Sequence, residues 1–318
     1  MPELPEVETV RRGLQRLIIG KKVVQVTHDT PKSFPNAETD VSEFLIGSTI
    51  LDVRRRAKVL LIDLDTDYTL VIHLKMTGQL VFISDTSNEV AFRGRSDGGE
   101  FTSPASGGVS PSSIRFGAGH PNASLINSLP DKSTRVEFTF DDGSKLFFND
   151  QRKFGWVKLF PTIEVPNIDF MKKVGPEPLE HNFTATEFIP RVRRRSGTTI
   201  KAAILDQTVL AGVGNIYADE SLWAARIHPA TRVRGVTDEQ LTELLVHIKA
   251  TMTLSIEKGG STDKNYVDAE GKRGSYLQFA NVFRREGQAC PRHPDVTIEK
   301  LRVAGRGTHM CPVCQPNV

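Results

Sequence analysis

"MPELPEVETVRRGLQRLI", residues 1–18, is the stretch on which the reading of this chain turns. Val7, Val10, Leu14, Leu17 and Ile18 recur at helical spacing, so the segment predicts an amphipathic helix. Proline suits the first helical turn, and Glu3, Glu6 and Glu8 suit the positive end of the helix dipole. Ordinary helix capping accounts for all of that. It does not account for a helix that begins at residue 2 with no lead-in. Removal of Met1, usual before a small residue such as proline, is expected to leave Pro2 as a free secondary amine. An α-amino group has a pKa near ~8, so a useful fraction is neutral at pH 7. Such an amine can attack a sugar carbon or an aldehyde and form an iminium that cannot lose an N–H proton. Glu3 and Glu6 stand close enough in sequence to supply protons.

The rest of the chain sets the frame for that helix. With 318 residues, 38% hydrophobic, the expectation is two domains and a small third module. The sequence holds no membrane-length apolar run and no signal-peptide pattern, and it reads as soluble and cytoplasmic. Net charge is only +3, so binding to a polyanion would have to come from local clusters such as Arg54, Arg55, Arg56 and Lys58, or Arg191, Arg193, Arg194 and Arg195. After the first helix come short strand-like runs, "KKVVQVTH", "STILDVRRR", "KVLLIDL", "YTLVIHL" and "QLVFI", and a hairpin "TRVEFTFDDGSKLFFND" turning at Asp142-Gly143. Residues 85–130 hold 7 Gly, 9 Ser and 4 Pro in 46 positions and read as a flexible insertion, either a passive loop or one that alters DNA contacts. From about residue 186 the period turns helical, with "TTIKAAILDQ", "NIYADESLWAARI" and "TDEQLTELLVHIKATMTLSIEKG" as helices and a polar loop from Ser261 to Ser275.

Two motifs carry chemistry of their own. All three cysteines lie in the last 29 residues, in "CPRH" (290–293) and "CPVC" (311–314). Paired ligands two residues apart form the two halves of a closed tetrahedral zinc site, here Cys290, His293, Cys311 and Cys314. His309 is a rival ligand, but it stands only two residues from Cys311. From Arg284 onward six Lys/Arg face three Asp/Glu, which makes the cysteine segment a candidate nucleic-acid contact. "LAGVGNIYADE" (210–220) places glycines and Asn215 before an apolar helix. That pattern fits ordinary helix capping, and it equally fits a phosphate site built from helix-start N–H groups and the Asn215 amide.

In order along the chain, "PELPEVETVRRGL", "RRAKVLLIDL", "HLKMTGQL", "NDQRKFGW", "GPEPL", "GVGNIYADE", "GGST" and "GRGTHMCPVCQ" resemble the bacterial formamidopyrimidine-DNA glycosylases, base-excision repair enzymes for 8-oxoguanine. The resemblance spans nearly everything outside residues 85–130 and implies an α+β, multidomain fold. An N-terminal β-sandwich with a catalytic helix would occupy 1–165, a linker 166–185, a helix–two-turn–helix domain 186–282 and a zinc hairpin 283–318, with DNA in the cleft between domains. It implies Pro2 as nucleophile, Glu3 as general acid at the deoxyribose, Glu6 in support and Lys58 on a nearby phosphate. Met76, Arg152 and Phe154 match residues that fill the space left by the extruded nucleotide. Asn215 matches a phosphate-binding asparagine, Arg306 a zinc-hairpin arginine on the phosphates flanking the lesion, and Lys201 a lysine near the lesion.

The implied partner is double-stranded DNA carrying oxidised purines or abasic sites, the cofactor one structural zinc, and no membrane or obligate protein partner is implied. The related endonuclease VIII type, for oxidised pyrimidines, and a non-catalytic damaged-DNA binder are the alternatives. The chain departs from the family pattern in having His293 where a cysteine is usual, and Ser133 and Arg135 where two histidines are common.

Overall fold

The computed structural model describes residues 2–37, 41–85, 113–119, 124, 127–261 and 276–317. Helix α1 (Leu4–Ile18) is followed by strands β1 (Val23–His28), β2 (Ile50–Arg56), β3 (Val59–Leu64), β4 (Tyr68–His73), β5 (Gly78–Asp85), β6 (Ser113–Gly119), β7 (Thr134–Phe140), β8 (Lys145–Asp150) and β9 (Trp156–Pro161). They form two antiparallel sheets, ordered β1-β7-β8-β5-β6 and β2-β3-β4-β9. Residues from both sheets, among them Leu60, Ile62, Ile72, Leu80, Phe82, Phe138 and Phe148, form one core with Val7, Val10, Leu14 and Ile18 of α1. The predicted hairpin turns at Gly143, whose φ of +82° suits a residue without Cβ.

Two expectations are corrected. Residues 85–130 are not flexible throughout: β6 lies inside them, pairs along the length of β5, and buries Phe116 completely. The Phe116 ring occupies the space a side chain at Gly13 of α1 would need, 2.4 Å from the Cβ position. A count of Gly, Ser and Pro averages over such a short strand and misses it. Residues 86–112 of the insertion lie outside the described residues. The expected linker 166–185 is likewise structured at its start. β3 alternates, sending Leu60, Ile62 and Leu64 into the main core and Val59 and Leu61 to the opposite face. That second face is covered by Val165 and by Met171 of a short helix α2 (Asp169–Lys173).

The second unit is helical: α3 (Ala185–Arg193), α4 (Ile200–Leu205), α5 (Asn215–Ala224) and α6 (Asp238–Glu257). The last three match the predicted helices, and α6 starts with a Thr237–Gln240 capping box. α5 is buried on nearly all sides from Tyr217 to Trp223, so it is the axis of this unit. Strands β10 (Glu299–Val303) and β11 (Arg306–Met310) form the terminal hairpin. Residues 262–275, most of the expected polar loop, lie outside the described residues.

Helix α1 joins the two units. Val7 onward packs in the sandwich, but Leu4 belongs to the helical core with Leu210, Val213 and Tyr217. Leu4 N–H donates to Gly212 O at 3.1 Å, and Gly212, at φ +81°, leaves room for the Leu4 side chain that a Cβ would strike at 2.5 Å. The start of the chain is thereby fixed at the seam between the two units.

Candidate active site

Pro2, Glu3, Glu6 and Lys58 meet at that seam, all buried. Glu3 precedes the first turn of α1, and its N–H donates to the Glu6 carboxylate at 2.8 Å. The Glu3 carboxyl lies on the start of α5: Ile216 N–H donates to it at 3.3 Å, and a Cβ on Gly214 would fall 2.1 Å from the Glu3 carboxyl carbon. Its other oxygen has no hydrogen-bond partner among the described residues. Burial raises the Glu3 pKa to about 7; the Lys58 charge opposes that rise and Glu6 adds to it. A carboxyl poised near neutrality can both give and take a proton at pH 7.

Lys58 follows a turn at Ala57 between β2 and β3, and its Nζ donates to Val213 O at 3.0 Å, across the seam. Burial lowers its pKa, against the pull of Glu3 and Glu6. Glu6 accepts from Ser261 N–H and Ser261 Oγ, both at 2.8 Å, and from the Tyr217 hydroxyl, which also pairs with Ser255 Oγ at 2.6 Å.

Met76, Arg152 and Phe154 converge on the sandwich surface. The Arg152 guanidinium lies 4.9 Å from the Phe154 ring centre and 3.5 Å from Met76 Sδ. Met76 is 45% exposed and Phe154 48%, so neither is a core residue. One buried carboxylate organises both loops: Asp150 accepts from Arg152 N–H at 3.1 Å, Phe154 N–H at 2.8 Å, Gly155 N–H at 2.7 Å and the Thr77 hydroxyl. An apolar pair exposed beside an arginine is suited to entering a base stack.

At the other end Cys290, His293, Cys311 and Cys314 bring their donor atoms within 4.8 Å of one another. Separations are 3.7 Å for Cys290–Cys314 Sγ, 3.1 Å for His293 Nδ1–Cys314 Sγ and 4.0 Å for His293 Nδ1–Cys311 Sγ. Tetrahedral zinc, with bonds of ~2.0–2.3 Å, spaces its donors at roughly 3.3–3.8 Å, so the four residues fit the ion. His309 is excluded as a ligand because its Nδ1 faces Asp219 at 3.1 Å and its Nε2 faces Glu286 at 3.3 Å. The site packs on Trp223 of α5. The hairpin extending from it carries Arg306 at an exposed turn, and Asn215 Nδ2 donates to the neighbouring Gly307 O at 2.9 Å.

The family model described as the formamidopyrimidine-DNA glycosylase N-terminal domain matches residues 1–157, and the one described as its H2TH domain matches residues 174–266. The chain belongs to the formamidopyrimidine-DNA glycosylase family. Curated relatives include the formamidopyrimidine-DNA glycosylases of Pediococcus pentosaceus, 39% identical over 316 residues, and Ligilactobacillus salivarius, 36% over 315, each alignment covering 99% of both chains. Among solved structures, Lactococcus lactis Fpg complexed with DNA containing an abasic site superposes with a TM-score of 0.80 at 30% identity, covering 99% of this chain and 100% of that one. A mutant of the same protein with Fapy-dG DNA gives 0.80 at 31%, with the same coverage, and MutM (Fpg) of Thermus thermophilus gives 0.78 at 32%, covering 100% of each.

Within this formamidopyrimidine-DNA glycosylase fold, one expected DNA contact is placed elsewhere. Lys201 has no exposed surface: its Nζ bonds Asp219 at 2.6 Å, Thr308 Oγ1 at 2.7 Å and Gly307 O at 3.3 Å. It braces the hairpin against α4 and α5, and in this structure it presents nothing to a phosphate. Several arginines of the basic clusters are paired with carboxylates. Arg54 pairs with Asp63, Arg55 with Glu8 and Glu177, Arg193 with Asp238 and Arg195 with Asp206. Arg135 is buried, bonding Asp150 O at 2.7 Å and Asp29, so it supports the Asp150 pivot from within.

Several residues that the sequence reading missed hold the site together. Asp150 and Tyr217 were visible only as parts of quoted motifs. Asp219 and Glu220 grip the C-terminal segment, Glu220 accepting from the N–H groups of Asn281, Val282 and Phe283 at 2.8–2.9 Å. Adjacent carboxylates on a helix that is otherwise buried were the available signal.

Proposed function

We propose that this protein is a bifunctional DNA glycosylase and abasic-site lyase that removes oxidised purines, 8-oxoguanine and formamidopyrimidines, from double-stranded DNA. The observation that carries the reading is the Glu3 carboxyl, near neutrality, held between Lys58 and the start of α5 beside Pro2. The relatives named above, with their abasic-site and Fapy-dG complexes, support it.

With Met1 removed, the neutral Pro2 nitrogen attacks C1′ and the bond from C1′ to the damaged base breaks, the base leaving with the electron pair and taking up the proton that the amine gives up. Glu3 protonates the deoxyribose oxygen as the ring opens, and an iminium joins Pro2 to C1′. The positive iminium then draws electrons from the sugar, so that β- and δ-elimination release the 3′ and 5′ phosphates in turn. Lys58 holds a nearby phosphate, and Asn215 and Arg306 hold the flanking ones. Met76, Arg152 and Phe154 enter the space vacated by the flipped nucleotide, offsetting an unstacking cost of a few kcal/mol. Zinc, when bound, folds the hairpin that carries Arg306; four protein donors leave it no open position.

The organisation that goes with this reading is a catalytic sandwich (1–165), a connecting segment (166–185), a helix–two-turn–helix unit (186–282) and the zinc hairpin (283–318). The protein works in the cytoplasm on nucleoid DNA; among the described residues no helix is long and apolar enough to cross a membrane.

The test is borohydride trapping on a duplex with one 8-oxoguanine opposite cytosine. A covalent complex mapping to Pro2, lost in Pro2→Gly while DNA affinity persists, is the expected result. Tight binding with neither adduct nor strand cleavage overturns the reading.

A further inference from the structure

We infer that Glu177, in the segment joining the two units, is a positioning residue that sets Lys58 against the Glu3 carboxyl. The inference rests on the role of Lys58 proposed above. Ala57, immediately before Lys58, has φ +52°, a left-handed conformation that a residue with a Cβ adopts at a cost. Something must hold it there, and the structure shows what does. The Ala57 N–H donates to Glu177 Oε1 at 2.5 Å. The Ala57 carbonyl accepts from Arg55 Nη1 at 2.9 Å, and the same Nη1 donates to Glu177 Oε2 at 2.7 Å. Glu177 therefore fixes one peptide group of Ala57 directly and the other through Arg55.

The clamp is tied at both ends. Arg55 Nε donates to Glu8 of α1 at 3.1 Å, which locks the turn to the helix that carries Glu3. Arg56 donates to Glu177 Oε1 at 3.0 Å and to Gly175 O at 2.7 Å, which locks it to the connecting segment. Glu177 is 7% exposed and both of its oxygens are engaged. From this turn the Lys58 side chain crosses the seam to Val213 O. A surface ion pair would have little leverage on such a turn, but a buried carboxylate engaged by three different donor residues determines it.

A simple brace between the units would have the same bonds, so the test must read Lys58. Glu3 is faced by Lys58 from the β2–β3 turn, by Glu6 from α1, by the Ile216 N–H from α5 and by the terminal amine, whose charge, like that of Lys58, lowers its pKa. The Lys58 charge holds the Glu3 carboxyl down. Moving that charge away raises it further, and because Glu3 acts as an acid, the alkaline limb of the pH–rate profile moves upward.

Glu177→Gln keeps the shape and removes the charge. The measurement is single-turnover trapping with borohydride across pH, the dissociation constant for duplex carrying an uncleavable abasic analogue, and the melting temperature, with Lys58→Ala alongside. Expected is a loss of trapping rate of roughly ten- to a hundred-fold, the scale of an ångström's misplacement, an upward shift of the alkaline limb, and a much smaller loss of affinity from the one phosphate contact of Lys58. Wild-type rate and limb in Glu177→Gln, with Lys58→Ala defective, overturn the inference and leave the Lys58 role standing. A loss confined to the dissociation constant, with the limb unmoved, reduces Glu177 to a brace and also overturns it. Wild-type trapping by Lys58→Ala overturns the Lys58 role and the inference with it. Should Glu177→Gln not fold, Arg56→Gln removes one arm of the clamp and leaves the Ala57 bond; it is expected to show the same two changes more weakly, and wild-type behaviour there overturns the inference.

Discussion

Gly214 offers a direct test of how the acid is built. Its φ of −130° and ψ of −162° are open to any residue, so alanine meets no backbone strain there. A Cβ would nevertheless lie 2.1 Å from the Glu3 carboxyl carbon, where ordinary contact begins near 3.4 Å. The groups it meets are the end of a flexible side chain, so the fold survives and the carboxyl retreats by about 1.3 Å, off the Ile216 N–H. A displacement of about an ångström costs roughly a hundred-fold in rate. The displaced carboxyl also loses the Ile216 N–H bond that had helped hold its pKa down, so the pKa rises above about 7. An acid works while protonated, so the alkaline limb of the excision profile moves to higher pH. The assay is single-turnover release of 8-oxoguanine from duplex DNA between pH 5 and 9, with binding to an abasic analogue measured separately. Gly214→Ala with a wild-type rate and an unmoved limb would refute the idea that contact with the start of α5 tunes Glu3.

The remaining predictions concern stability and metal. The Glu3 pKa stands at about 7 in the folded protein against 4.5 unfolded, so between these values the folded state binds the extra proton and stability falls as pH rises. Glu3→Gln is expected to be more stable by up to about 3 kcal/mol above pH 7, with the gain vanishing below pH 4.5 and no glycosylase activity at any pH; a melting-temperature difference that does not grow over that window contradicts this. Cys311→Ser is expected to lose zinc and weaken DNA binding, read by metal analysis and titration, and full retention of zinc removes Cys311 from the ligand set. Phe116→Ala empties the slot against Gly13 and is expected to cost about 3–5 kcal/mol in denaturant unfolding; an effect below about 1 kcal/mol would mean that β6 does not hold α1.

What the sequence determined by itself was local or repetitive. Helix α1 was legible because its period and its early prolines and acids agree, and α4, α5, α6 and the Asp142-Gly143 hairpin for similar reasons. The zinc set was legible because two ligands within four residues must meet in space, whatever the rest of the chain does. The order of eight motifs carried the family and, with it, the proposed roles of Pro2, Glu3, Lys58 and Asn215. What the tertiary structure alone decided depends on groups distant in sequence. The Glu3 carboxyl is raised toward neutrality because it is buried against Gly214 and Ile216, more than two hundred residues away, and no local pattern encodes that burial. Lys201 could be matched to a motif, but only the position of Asp219 and the hairpin shows that its charge is spent inside. Strand β6 was hidden because its pairing with β5 spans a composition typical of loops, and strand pairing is a long-range property. Spacing shows which residues can meet along one element; desolvation and partner choice depend on what the other elements bring to the same place.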